Sequence, residues 1–175
     1  MGNEGLIAAV IDYGPIIHLA EIGCLPLLRI FSTLHIPDAV WYETVGQGRV
    51  LQEELLKIDI IKRHALSPVE INQFTTEKGF KKLDDGEREC LYLCKQISVP
   101  LILTDDLAVR DAANLLNIIP VGSLGIVVKA YKSGQISLSE AERIINALYD
   151  ISSLFVTRGI VEIAIEELYK RFPHE

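Results

Sequence analysis

The chain has 175 residues, 49% hydrophobic and 23% charged, which is enough to build the core of one soluble domain. Its formal net charge of −7 argues against a passive nucleic-acid binder, which is normally basic, and suits an enzyme whose carboxylates hold divalent cations. No uninterrupted apolar stretch reaches the length of a membrane span, and Met1-Gly2-Asn3-Glu4 lacks the basic start of a signal peptide, so a cytoplasmic protein is expected.

In chain order, Leu6 to Ile11 is a short apolar run that stops at Asp12-Tyr13-Gly14-Pro15. Such runs suit strands buried on both faces of a parallel sheet. Ile16 to Phe31 has apolar residues at helical spacing, with a break at Gly23. Leu34-His35-Ile36 reads as a strand, and Pro37 opens a helix through about Val45, proline being tolerated in a first turn. Ile58 to Lys62 is the next expected strand.

Ser67-Pro68-Val69-Glu70 has the form of a capping box, and Asp84-Asp85-Gly86-Glu87 repeats that form ahead of a helix through about Ile97. Pro100 to Leu103 reads as a buried strand, Asp105-Asp106 as the start of a helix to about Leu116, and Ile118-Ile119 as a last short strand. Helices are then expected from Ser123, from Ser137 with Glu140 as its capping partner, and from about Thr157 to Arg171.

Alternating strands and helices predict right-handed βαβ units. The expected fold is therefore α/β, a three-layer α/β/α sandwich around a mostly parallel sheet of four to five short strands. With no repeats or Gly/Ser linkers, residues 1–175 read as a single domain, its C-terminal helices (about 137–172) packing on it or on a partner. Cys24, Cys90 and Cys94 are too few and odd in number for a disulfide framework. Cys90 and Cys94 share a helical face, where buried thiols are common.

Ligands of open parallel sheets bind outside the carboxyl ends of the strands, and that rule selects the acids. Asp12 follows the first strand directly, and Asp105 and Asp106 follow Leu101-Ile102-Leu103-Thr104. If the two strands are neighbours, three carboxylates converge on one crevice, and such a cluster is relieved by a cation. Helix capping is the competing reading, most directly for Asp105. Asp12 stands apart, because Pro15 and the apolar residues after it do not need a carboxylate three positions earlier. Glu87 is either the capping partner of Asp84 or a carboxylate aimed at the crevice. Glu43 extends an apolar helix face behind Ala39 and Val40, where a cation or a water-reaching conformation would satisfy it.

Other chemistry has less support. There is no G-x-G-x-x-G, P-loop or G-x-S-x-G pattern. A dehalogenase-type phosphatase would want Asp-x-Asp at the first strand, where Gly14 takes the second position. The four histidines lack metal spacing, and His18 reads as a satisfied core residue. Lys57, Lys62, Arg63, Lys78, Lys81, Lys82 and Arg88 are scattered as on a solvated face.

With the acids placed, the chain resembles the PIN-domain nucleases, in particular a prokaryotic PIN-like subfamily. The matching segments are Val10-Ile11-Asp12 with Pro15-Ile16-Ile17, Pro37 to Glu43, Asp85-Gly86-Glu87 with Leu91, Leu103-Thr104-Asp105-Asp106 with Arg110, and Val121-Gly122-Ser123-Leu124-Gly125. The resemblance implies metal-binding catalytic acids at Asp12, Glu43, Glu87 and Asp106, with Thr104 and Asp105 as accessory residues. It implies one or two Mg²⁺ or Mn²⁺ ions, hydrolysis of RNA phosphodiester bonds, a cognate antitoxin as partner and a homodimer. The chain departs from the family at Tyr13-Gly14, where members often carry a serine or threonine just after the first acid. A non-catalytic module of the same fold, acting through protein or nucleic-acid binding, is the alternative that this departure raises.

Overall fold

The computed structural model describes residues 7–170. Five short strands form one sheet, all parallel, in the order β3-β2-β1-β4-β5. The inner strands β1 (Ala9–Ile11) and β4 (Leu101–Leu103) are buried at every position, as the centre of a doubly covered sheet requires. The rims are polar. β3 (Ile61–His64) exposes Lys62 and Arg63, and β5 (Ile119–Val121) carries Pro120, which an edge strand can hold.

β2 (Leu34–Pro37) pairs with β1 on one side and β3 on the other. The chain grows outward from β1 through β2 to β3, then returns to place β4 on the opposite flank of β1. The point where strand order reverses therefore lies between the carboxyl ends of β1 and β4, where doubly wound sheets bind their ligands. Two backbone bonds fix those ends: the Asp12 amide donates to the Leu103 carbonyl at 2.9 Å, and the Thr104 amide to the Val121 carbonyl at 2.9 Å.

Helices cover both faces. α5 (Asp85–Gln96) lies across β1, β2 and β4, its buried face built from Cys90, Leu91, Leu93 and Cys94. The Cys90 thiol donates to the Ile11 carbonyl. α1 (Tyr13–Glu21) packs on α7 (Ser123–Lys132), and α8 (Leu138–Asp150) and α9 (Arg158–Tyr169) pack on α7 and on each other. Among the described residues no helix is long and apolar enough to cross a membrane.

The elements follow the expected order, with shifts that have local causes. The first strand begins at Ala9, and Leu6 lies outside the described residues, as does Arg171. The expected helix Ile16–Phe31 starts earlier, at Tyr13, and divides at Gly23 (φ 68°) into α1 and a 3₁₀ segment Leu25–Ile30. Pro37 ends β2 and flanks α2 (Asp38–Trp41) from outside. α2 then widens into a π turn, Tyr42–Gly46, where the Thr44 hydroxyl bonds back to the Val40 carbonyl at 2.8 Å, competing with the helical ladder.

α3 (Gln52–Leu56) was not expected, since five residues cannot display a helical period. β3 starts at Ile61 because its pairing sets Leu34 against Ile61, and Ile58 packs in the core from the preceding turn. The last strand runs to Val121, in register with Leu103. α4 (Pro68–Lys78) begins at Ser67 as expected, with the Glu70 amide donating to Ser67 Oγ, but the Glu70 carboxylate accepts from the Tyr92 hydroxyl rather than closing a capping box. α6 (Leu107–Leu115) starts after Asp106.

Candidate metal centre at the strand-order reversal

Asp12 is the innermost acid, 1% exposed, and sits between β1 and α1. The structure makes it the N-cap of α1: its Oδ1 accepts from the Tyr13 amide at 2.8 Å. The expectation that nothing after it needs a carboxylate is thus corrected, because the helix starts two residues before Pro15. Its second oxygen, Oδ2, accepts from the Thr104 hydroxyl at 2.9 Å. The same hydroxyl oxygen accepts from the Asp106 amide at 3.3 Å. Thr104, wholly buried, therefore couples the two strand-end acids and supplies the orienting hydroxyl that Tyr13-Gly14 lacks.

Asp106 caps α6, its Oδ1 accepting from the Val109 amide at 3.0 Å. Asp105 does not cap that helix. Its side chain turns to the N-terminus of α7 and accepts from the Ser123 amide at 2.6 Å, the Ser123 hydroxyl at 2.5 Å and His18 Nδ1 at 2.7 Å.

Glu87, 5% exposed, accepts from the Asp84 amide at 2.8 Å, so its capping role is real. Glu43 projects from the π turn, an irregularity often associated with function, towards the start of α5. Gly86 makes the approach feasible: a Cβ there would stand 3.0 Å from Glu43 Oε1.

The charges of these acids act on one another. Burial, reinforced by the Glu87 and Glu43 charges, raises the Asp12 carboxyl to about 7, against the opposing pull of the Tyr13 amide and the Thr104 hydroxyl. Glu43 is raised by burial and then by Asp84. Glu87 is raised by burial and then, among neighbouring charges, most by Asp106. Burial pushes the Tyr13 hydroxyl up to about 12, with Asp12, Glu87 and Glu43 adding to it, so this phenol borders the same field. Asp12 thus feels the charges of Glu87 and Glu43, and Glu87 those of Asp106 and Glu43; among the described residues none of these four acids forms a salt bridge.

The donor chemistry fits a hard divalent cation, which takes carboxylate oxygens. The side chains are not drawn tightly together: among the described residues no three His, Cys, Asp or Glu are close enough to hold an ion as they stand. Glu87 and Asp106 are each engaged by a helix-start amide, and each carboxylate keeps further lone pairs.

A parallel sheet with acids at its strand-order reversal gives an α/β fold of nuclease type. The chain belongs to the PIN-domain family, whose model matches residues 8–170. No curated protein matches it.

Two residues beside the crevice escaped the sequence reading. Tyr13 was read only as part of the departure from the family pattern. His18 was read as a core residue, yet its ring is 14% exposed and bonded to Asp105. The apolar positions around His18 in α1 masked it, and its partner lies 87 positions away.

Proposed function

We propose that the protein is a metal-dependent endoribonuclease that hydrolyses RNA phosphodiester bonds with Mg²⁺ or Mn²⁺. The observation that carries this reading is Asp12: a fully buried carboxylate at the reversal point, surrounded by acids and unpaired with any cationic side chain among the described residues. Repulsion of this kind is relieved by a divalent ion.

Asp12, Glu43, Glu87 and Asp106 would hold the ion, Asp12 and Asp106 from strand ends, Glu43 and Glu87 from the π turn and α5. When bound, the ion supplies Lewis acidity towards water and phosphate oxygen. Thr104 holds Asp12 in place through its hydroxyl. Asp105 is an accessory residue that ties β4 to α1 and α7 instead of facing the ion.

The test is cleavage of a labelled single-stranded RNA. The wild-type chain should cut with Mn²⁺ or Mg²⁺ and stop with EDTA, and Asp12→Asn should lose cutting while remaining folded. Equal cutting by purified Asp12→Asn protein would refute the assignment.

By the same reading the protein acts in the cytoplasm as the toxin of a toxin–antitoxin pair and forms a homodimer. The C-terminal region supports a protein partner there, because Ile151, Phe155, Ile163 and Tyr169 are exposed, Phe155 by 95%. Growth arrest on expression, relieved by a co-expressed antitoxin and absent in Asp12→Asn, is the expected result. A non-catalytic binding module is the second reading, favoured by the engagement of Asp12, Glu87 and Asp106 with helix-start amides. Metal-independent RNA or protein binding with no cutting would select it.

A further inference from the structure

We propose that His18 and Arg110 form a subsite for a backbone phosphate of the RNA strand, beside the phosphate that is cut, with Asp105 as the positioning residue for His18. The subsite deepens the nuclease reading and rests on it.

Asp105 receives three donors, the Ser123 amide and hydroxyl and His18 Nδ1. Those bonds use both of its oxygens and set the imidazole against the first turn of α1. Asp105 and His18 lie against the Gly14 side of α1: a Cβ there would sit in ordinary contact with the Asp105 Cβ, Asp105 Oδ2 and His18 Cε1, each at 3.6 Å. With Nδ1 committed to a carboxylate, the ring has only Nε2 to offer. Nε2 has no protein partner among the described residues and is not a buried orphan, so it opens to solvent. When the ring carries both protons, its Nε2–H is a donor that a phosphate oxygen can accept.

Arg110 stands one helical turn beyond Asp106, its amide donating to the Asp106 carbonyl at 3.0 Å. Its guanidinium passes over Gly122, where a Cβ would meet Asp105 Oδ1 at 2.9 Å and Arg110 Nη1 at 3.1 Å. A Cβ there would press on both groups. Arg63, Arg88 and Arg158 each pair with a carboxylate, whereas Arg110 pairs with none among the described residues.

Arg110 on α6 and the free Nε2 edge of His18 on α1 therefore flank Asp105 at the strand-end edge, beside the strand-end acids. A nucleic-acid strand reaching those acids meets repulsion from them and needs positive contacts at its neighbouring phosphates. The planar guanidinium can take two oxygens of a phosphodiester, and His18 Nε2, when protonated, can donate to another.

The experiment measures anisotropy of a short fluorescein-labelled single-stranded RNA on the Asp12→Asn protein with Mg²⁺, then with His18→Gln, Arg110→Gln or Arg110→Lys added. His18→Gln and Arg110→Gln should each raise Kd about tenfold. Arg110→Gln should also flatten the plot of log affinity against log salt by roughly 0.7, and Arg110→Lys should restore that slope. Thermal melts matching the parent protein mark the loss as local. Affinity within twofold of the parent in both Gln variants, or an unchanged salt slope in Arg110→Gln, overturns the subsite. Cutting by the chain with Asp12 intact is scored separately. Binding through these residues without cutting contradicts the nuclease reading alone, while cutting with unaltered binding in the variants contradicts the subsite alone.

Discussion

The Thr104 hydroxyl donates to Asp12 Oδ2 at 2.9 Å across the junction of β4 and β1, so the acid at the end of β1 is held by a side chain from β4. Thr104 is wholly buried, as Asp12 nearly is, so neither group can exchange its partner for water.

Removing the hydroxyl should be felt twice. Thr104→Val keeps the side-chain shape but leaves a buried carboxyl without its donor, which should lower stability by about 1–3 kcal/mol in urea melts. RNA cleavage should fall roughly 10–100-fold, as when a partner orienting a metal ligand is lost. Thr104→Ser should recover most of both. A Val variant with wild-type cleavage would mean that Asp12 needs no orientation.

Asp12 also sets a pH dependence. Its carboxyl is raised from 3.8 to about 7, so the native chain keeps a proton where the unfolded chain has released it. The stability this supplies is complete below about pH 4 and is lost as the pH rises to about 7. Metal-free wild-type protein should therefore lose stability relative to Asp12→Asn across that window, at up to about 1.4 kcal/mol per pH unit. Parallel pH profiles for the two proteins would remove Asp12 as the source.

Capping and the proposed metal binding at Asp106 can be separated. Asparagine is as good an N-cap as aspartate, whereas alanine costs about 1 kcal/mol. Asp106→Asn should melt like the wild type yet lose cleavage, and Asp106→Ala should lose both. Full cleavage by Asp106→Asn would reduce this residue to a cap.

The sheet carries a second titrating pair on its β2–β3 side. His35 Nδ1 and His64 Nε2 lie 2.8 Å apart on adjacent strands. Burial lowers the pKa of both, and for His35 the His64 charge adds to it. Depressed values mean stability that is present above the ordinary histidine range near 6.5 and lost as the pH falls through the folded values. Melting of the wild type between pH 7 and 5 should drop more than that of His64→Gln, and equal drops would contradict the assignment.

The sheet was legible because its central strands are continuous apolar runs, Val10-Ile11 and Leu101-Ile102-Leu103, each ending in a polar turn. The positions of Asp12 and Asp106 at neighbouring strand ends were legible for the same reason, since a strand end in a parallel sheet dictates where its next acid goes. Glu43 was placed on an apolar helix face by a 3.6-residue period, but the turn that carries it is a π turn bent by the Thr44 hydroxyl, which no period reveals. Asp105 and Asp106 exchanged roles as caps, because adjacent aspartates carry the same local signal and only the position of Ser123 distinguishes them. The His18 contact with Asp105 depends on how α1 packs against the end of β4, a tertiary relation with no local trace.

The central claim, that the acids at the reversal point form a cation pocket, is tested most directly by calorimetric titration of Mn²⁺ into the metal-free protein and its Asp12→Asn variant. Saturable binding by the wild type, with proton release near pH 6 and loss of binding in Asp12→Asn, is the predicted result. Identical isotherms for the two proteins, or no binding by the wild type, would contradict it.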